Sequence, residues 1–221
     1  MLRNFLTLLC LSACTLAHAG NILLNGDFET GNINNWTFFT TTNGDLGCPN
    51  FCGVALFDTT GTGATNALKL NVGSSAGGVS NGGGISQTIN LATSGIYSFF
   101  ANIASQDDVS GQINGSPGTF SILIDGTTLA TNTLGGGGGF STSFQIFTGT
   151  LSGAVNLTSG SHSFQVLVTR PFANGGNATP QQYVDNISLS TSATPEPATF
   201  GLAAVTLIGL GTIRRRGQKS R

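Results

Sequence analysis

Ser161-His162-Ser163-Phe164-Gln165-Val166-Leu167-Val168-Thr169-Arg170 decides the fold. Phe164, Val166 and Val168 fall on every second position, the period at which a strand returns its side chains to one face. Phe120, Ile122 and Ile124 repeat the pattern. Working outward, no stretch between Gly20 and Ser190 carries the 3.6-residue period of an amphipathic helix. Short apolar or alternating runs are instead separated by clusters of Gly, Asn, Ser and Thr, the pattern of an all-β sandwich. The runs predict strands at Ile22–Asn25, Trp36–Thr42, Val54–Phe57, Ala67–Val72, Gly84–Asn90, Gly95–Ala104, Thr119–Ile124, Thr142–Leu151, Ser161–Arg170 and Gln182–Ser190. Asp125-Gly126 is a hairpin signal. Asn81-Gly82-Gly83-Gly84 and Gly135 to Gly139 read as loops. About ten strands in one domain suit a jelly-roll β-sandwich.

Both ends of the 221-residue chain read as handling signals rather than fold. Met1-Leu2-Arg3-Asn4 carries one positive charge, Phe5 to Leu16 is apolar, and Ala17-His18-Ala19 is a small-x-small site. This predicts a secretory signal peptide helix over residues 1–19, cut between Ala19 and Gly20. Leu11-Ser12-Ala13-Cys14 offers a lipobox alternative, though it sits early. Cys10 and Cys14 leave with the signal. Cys48 and Cys52 remain, and two cysteines in an exported chain most simply close a surface loop as a disulfide. A metal site would need more ligands than Cys48-Pro49-Asn50-Phe51-Cys52 provides.

From Gly20 to Thr194 eight acids (Asp27, Glu29, Asp45, Asp58, Asp107, Asp108, Asp125, Asp185) face two bases (Lys69, Arg170). Nucleic acid demands a basic footprint, and this body lacks one. The C-terminus is the opposite. Thr194-Pro195-Glu196-Pro197-Ala198 (in a linker spanning 191–198) precedes an apolar segment from Thr199 to Ile213, which predicts a short transmembrane helix. Arg214, Arg215 and Arg216 then form a stop, and the basic tail over 214–221 predicts a cytoplasmic C-terminus.

This tail resembles the PEP-CTERM sorting signal of Gram-negative bacteria, called in some collections an ice-binding protein C-terminal domain. The resemblance rests on Pro195-Glu196-Pro197, the apolar helix and the arginine cluster, in that order at the chain's end. It implies recognition and cutting by exosortase, a membrane protease of organisms that make exopolysaccharide and biofilm. It also implies transient anchoring at the inner membrane, then delivery to the cell surface or matrix.

The body, residues 20–190, has a resemblance of its own. Asn21-Ile22-Leu23-Leu24-Asn25-Gly26-Asp27-Phe28-Glu29, Trp36, Ile85-Ser86-Gln87-Thr88-Ile89, Ser94-Gly95-Ile96-Tyr97-Ser98-Phe99 and Tyr183-Val184-Asp185-Asn186-Ile187-Ser188-Leu189 look like galactose-binding-like jelly rolls, which include many carbohydrate-binding modules. That likeness implies a structural calcium where first and last strands meet. Carried over, Glu29 and Asp185 would be carboxylate ligands, with backbone or amide oxygens near Asn25 and Asp27. Asp185 shares strand parity with Tyr183, Ile187 and Leu189, so it is expected to face inward with them, where a carboxylate needs a partner. Hydrogen-bonded polar groups tying down the two chain ends are the alternative.

Catalytic signals are weak. His162 is the one histidine left after signal removal, it opens a regular strand, and no Gly-x-Ser-x-Gly elbow occurs. Asp107-Asp108 are adjacent in a loop, whereas glycoside hydrolysis needs carboxylates across a cleft. The glycine runs lack phosphate-loop context. Phe38, Phe39, Phe51, Phe140 and Phe172 are candidates for stacking on sugar, and Trp36 and Tyr97 suit the core. The expectation is a non-catalytic surface or matrix protein, with exopolysaccharide as a candidate ligand. A structural coat protein is the alternative, and an extracellular hydrolase the remote one.

Overall fold

The alternation at Phe164, Val166 and Val168 is realised in a strand with all three side chains fully buried. The computed structural model describes residues 20–73, 82–107, 113–114, 118–135, 140–141, 145–170 and 180–191. Thr191 closes the last strand, while the expected signal segment, residues 192–198 of the expected linker with Pro195-Glu196-Pro197, the apolar segment and the basic tail lie outside the described residues. So do Asp108, Phe172 and most of the Gly135–Gly139 run.

The strands are β1 (Thr37–Thr40), β2 (Gly53–Phe57), β3 (Thr65–Leu70), β4 (Gly82–Leu91), β5 (Gly95–Asp107), β6 (Ile113–Asn114), β7 (Gly118–Ile124), β8 (Thr127–Leu134), β9 (Phe140–Ser141), β10 (Gln145–Leu157), β11 (Gly160–Thr169) and β12 (Gln181–Thr191). Sheet A runs β1-β4-β11-β7-β8 and sheet B runs β10-β5-β12-β3-β2, with β6 and β9 paired separately. Every pairing is antiparallel. The result is an all-β two-sheet sandwich. Among the described residues no helix occurs.

Phe120, Ile122, Phe164 and Val166 from sheet A meet Leu68, Phe99, Ile103 and Val184 from sheet B in one core. One side of the sandwich is clasped where the Asn132 amide on β8 donates to the Thr150 carbonyl on β10, at 3.1 Å. Trp36 and Tyr97 fill core positions as expected, at 5% and 2% exposure.

Several expectations are corrected. Ile22–Asn25 forms no strand; it runs beside β12 as a series of bends. Gly82–Gly84 belong to β4 rather than a loop. A Cβ on Gly44 would strike the Gly82 carbonyl, and one on Gly83 would lie 2.7 Å from Leu46, so the missing side chains admit the 44–46 segment against β4. Where Thr142–Leu151 was expected, β10 spans Gln145–Leu157. β8 is a strand the alternation does not announce.

Candidate functional site

The two ends of the described body are joined by a side-chain amide acting as a strand. Asn21 Nδ2 donates to the Ile187 carbonyl at 2.9 Å, and its Oδ1 accepts from Leu189 N at 2.9 Å. An amide offers one donor and one acceptor side by side, so it completes the ladder that an irregular backbone cannot. Ile22 N donates to the Leu189 carbonyl and Ile187 N to the Gly26 carbonyl. Across the gap, Gln87 on β4 accepts from Leu24 N and donates to the carbonyls of Leu24 and Asn35. Residues 21–35 thus bridge the two sheets.

Asn25 and Phe28 adopt left-handed backbone conformations, with φ of 53° and 52°. For Phe28 this is unfavourable, and the fully buried ring, 6.2 Å from Trp36, is what holds it.

Asp185 is 1% exposed, but not between the sheets. β12 pairs Asp185 with Asn102 and Ser188 with Phe100, a bulge that inserts Asn186 at φ 52°. One extra residue reverses parity. Val184, Ile187 and Leu189 therefore enter the core, while Tyr183 joins Phe57, Ala67 and Ala104 in a separate cluster on the outer face of sheet B. Asp185 sits on that outer face too. This corrects the inward orientation expected from parity.

There Asp185 Oδ2 accepts from Thr65 Oγ1 at 2.9 Å, Thr59 Oγ1 at 3.5 Å and Asn186 Nδ2 at 3.3 Å, and Oδ1 accepts from Asn186 N at 2.7 Å. Burial pushes its pKa up; the Thr65 and Asn186 hydrogen bonds pull it back, and the charge of Glu29 raises it further. Glu29 reaches the same spot, accepting from Asn66 N at 3.1 Å and Asn66 Nδ2 at 3.4 Å. Asp58 organises the covering turn, accepting from the amides of Thr60, Gly61, Thr62 and Gly63.

The four residues expected around a cation are therefore divided. Glu29 and Asp185 come together over Thr65 and Asn66. Asn25 and Asp27 line a groove of about 330 Å³ with Asn21 and Asn186. The Asn25 amide is committed to Asn32, Asn34 and Thr30, and its carbonyl accepts from Trp36 Nε1. Among the described residues no three His, Cys, Asp or Glu side chains gather at metal-binding spacing.

His162 is held from both sides. Nδ1 lies 2.7 Å from Asp125 Oδ2 and Nε2 lies 2.9 Å from the Thr158 carbonyl. The Thr158 carbonyl and an ionised Asp125 carboxylate both accept, an arrangement that favours the doubly donating, protonated ring. The Asp125 hydrogen bond, then the Thr158 one, raise its pKa; the His162 hydrogen bond chiefly lowers that of Asp125. Both ring nitrogens are thus engaged by neighbouring oxygens.

The outer face of sheet A is different in kind. Phe39, Gly84, Leu167, Ser121 and Thr131 form one row across its five strands. Thr37, Ser86, Gln165, Leu123 and Thr128 form another. Thr88 lies beside Ser163, and the Thr119 and Thr133 hydroxyls meet at 2.8 Å. None of these side chains ionises.

At the Phe39 end stands the Cys48–Cys52 disulfide loop. Phe38, Phe39, Thr40, Asp45, Leu46 and Cys48 line a cavity of about 350 Å³ between β1 and this loop. Of the candidate stacking rings, Phe38 packs against the core, Phe39 is half-buried and Phe51 is 51% exposed. The side chain of Phe140 lies outside the described residues. Sequence reasoning missed the face because its signal is register, which becomes visible only once strands are paired.

Residues 193–216 match the family model of the PEP-CTERM protein-sorting motif, which marks an exported protein of the Gram-negative cell envelope. No curated protein matches the sequence. Solved structures similar to the fold include the carbohydrate-binding module TmCBM61 in complex with β-1,4-galactotriose. It is 15% identical, with a TM-score of 0.45 over 79% of this chain and 100% of that one. A family 16 carbohydrate-binding module is 17% identical, with a TM-score of 0.41 over 76% and 99%. An arabinose-bound α-L-arabinofuranosidase is 17% identical, with a TM-score of 0.45 over 78% of this chain and 26% of that one.

Proposed function

We propose that this is a non-catalytic cell-surface or biofilm-matrix protein, exported on its signal peptide, cut at its tail by an exosortase-type protease, and binding exopolysaccharide through its sandwich. The outer face of sheet A carries the reading. It combines strand-borne hydroxyls and amides, which exchange hydrogen bonds with sugar hydroxyls, with the Phe39 ring, which offers a flat apolar surface. The finer assignment of the fold as a jelly roll is part of this proposal, supported by the way consecutive strands β3, β4 and β5 change sheets.

The non-catalytic reading is supported by how the described ionisable groups are used. His162 and Asp125 hold each other, Asp58 organises a turn, and Asp185 is enclosed by Thr59, Thr65 and Asn186. Glu29 and Asp185 are proposed as carboxylate ligands of a structural calcium, with hydroxyl, amide and main-chain oxygens completing a hard-cation set. Supporting this is the repulsion between two carboxylates that a divalent cation would relieve. The ion would tie the 29–66 contact to β12 and has no part in chemistry.

Affinity electrophoresis of the processed protein through gels containing purified exopolysaccharide tests the binding function. Retardation is expected, and unchanged mobility in every gel would leave the structural coat protein as the reading. For the tail, replacing Pro195, Glu196 and Pro197 with alanine should leave the full-length form in the membrane fraction. Normal processing of that variant would refute the sorting role.

A further inference from the structure

We infer that the glycan is uncharged, and that its path over sheet A ends in the pocket between β1 and the disulfide loop. This rests on the binding function proposed above and deepens it to a ligand class and a subsite. The two named rows cross all five strands without meeting an ionisable side chain. What charge borders the face is unsuited to a polyanion. Asp45 lines the pocket at the Phe39 end, and at the opposite end Asp125 is 51% exposed while its partner His162 is 9% exposed.

The body's bases are Lys69 and Arg170. Arg170 is 2% exposed and donates to the Val72 carbonyl at 3.0 Å. Lys69 pairs with Tyr183 in sheet B, not sheet A. A uronic-acid or sulfated polymer would thus shed its hydration and meet no exposed cation on sheet A, beside a body with six more acids than bases (eight less two). An uncharged polymer meets hydroxyls, the Gln165 amide, two leucines and one ring.

The pocket adds the second half. Its volume of about 350 Å³ lies at the small end of ligand sites, at roughly 300–1,000 Å³. Phe39 belongs at once to the outer row and to the pocket wall, so a sugar seated on the face continues into it. Asp45 and Thr40 supply polar atoms there, beside Leu46 and Cys48. A chain running across the strands meets the disulfide loop as a stop.

The test is retardation of the processed protein in gels of uncharged glycans (glucan, mannan, galactan, xylan) and of anionic ones (alginate, polygalacturonate), at about 50 and about 500 mM NaCl. Retardation by an uncharged glycan, unchanged by salt, is expected. Phe39→Ala and Thr131→Lys should each weaken it about tenfold, with Phe39→Ala checked for folding by its Tm. Thr131 is exposed on an edge strand, so Thr131→Lys reads binding without disturbing the fold.

Retardation by the anionic glycans alone, fading with salt, would overturn the uncharged ligand while leaving glycan binding intact. Uncharged-glycan binding untouched by both substitutions would overturn the placement. Silence in all gels would sink the proposed function itself.

Discussion

The two outer faces of the sandwich use similar residues and treat charge in opposite ways. Sheet A presents Thr, Ser and Gln among Phe39, Leu167 and Leu123, with no ionisable group in its two cross-strand rows. Sheet B carries Lys69, Tyr183 and Asp185, then buries the last two. Tyr183 stacks on Phe57 at 3.7 Å and 8°, and burial pushes its hydroxyl up to about 12. The difference separates stability from recognition. A polar group under cover is costly unless bonded, so substitutions on sheet B should act on folding. Exposed hydroxyls on sheet A, those of Thr37, Thr128 and Thr131, cost the fold little, so substitutions there should act on binding.

The hardest blow to that contrast falls on Asp185. Asp185→Ala leaves the Asn186 amide and two threonine hydroxyls without their acceptor, at about 2–4 kcal/mol. Thermal unfolding should shift down by about 5–12 °C. Asp185→Asn should lose less, because it keeps an oxygen and removes the repulsion from Glu29.

The pH dependence sharpens the point. A carboxyl whose folded pKa is raised binds more protons folded than unfolded, so stability falls as pH rises from about 3.9 to the raised value. Asp185→Asn should flatten that slope in urea midpoints measured between about pH 4 and 7. Added calcium should restore stability to the native chain and not to Asp185→Asn; equal response in both would exclude the carboxylate pair as ligands.

Next in size is the seam. Asn21→Ala removes the amide that accepts from Leu189 and donates to Ile187, and should cost about 2 kcal/mol by denaturant unfolding. Asn21→Asp keeps the acceptor and loses the donor, so a smaller loss would locate the effect in the clasp.

This seam also shows what the sequence could and could not convey. β11 and β7 were legible because Phe164, Val166 and Val168, and Phe120, Ile122 and Ile124, put an apolar side chain inward on every second residue. Thr127–Leu134 was not: TTLATNTL carries no alternation, since β8 is an edge strand exposing Thr128, Thr131 and Thr133. Residues 22–25 read as a strand, yet the pairing is made by a side chain, which no periodicity encodes. Asp185 was found by residue type, while its orientation depended on the Asn186 bulge, a backbone event. The disulfide needed only two cysteines and an exported setting.

Smaller still is the ion pair at the rim of the neutral face. His162→Gln keeps some hydrogen bonding and loses the charge, and with Asp125 half exposed the cost should be about 1 kcal/mol or less. His162 has a raised pKa, so its contribution is complete below about pH 6.5 and is lost as pH rises through the folded value. Asp125 has a lowered pKa, so its share is present above about 3.9 and lost as pH falls through its folded value. Native and variant chains should therefore differ most between those limits, and converge in alkaline urea titrations. A gap that widens above pH 8 would mean that packing, not charge, is what the variant removed.

The smallest expected effect on stability is the most diagnostic for the comparison. Thr131→Ala changes an exposed side chain on an edge strand and should alter unfolding by no more than about 0.5 kcal/mol. Threonine's β-branch favours the strand slightly, so the sign should be destabilising. Yet Thr131 closes the row that begins at Phe39, and a polymer spanning the five strands must pass over it. Retardation by an uncharged glycan should therefore fall while the Tm stays in place. Applied to sheet B, the same paired measurement should give the reverse for Thr65→Ala, since Thr65 donates to a buried carboxylate and lies away from the proposed path. If Thr65→Ala weakened glycan retention while leaving the Tm alone, the roles assigned to the two faces would have to be exchanged.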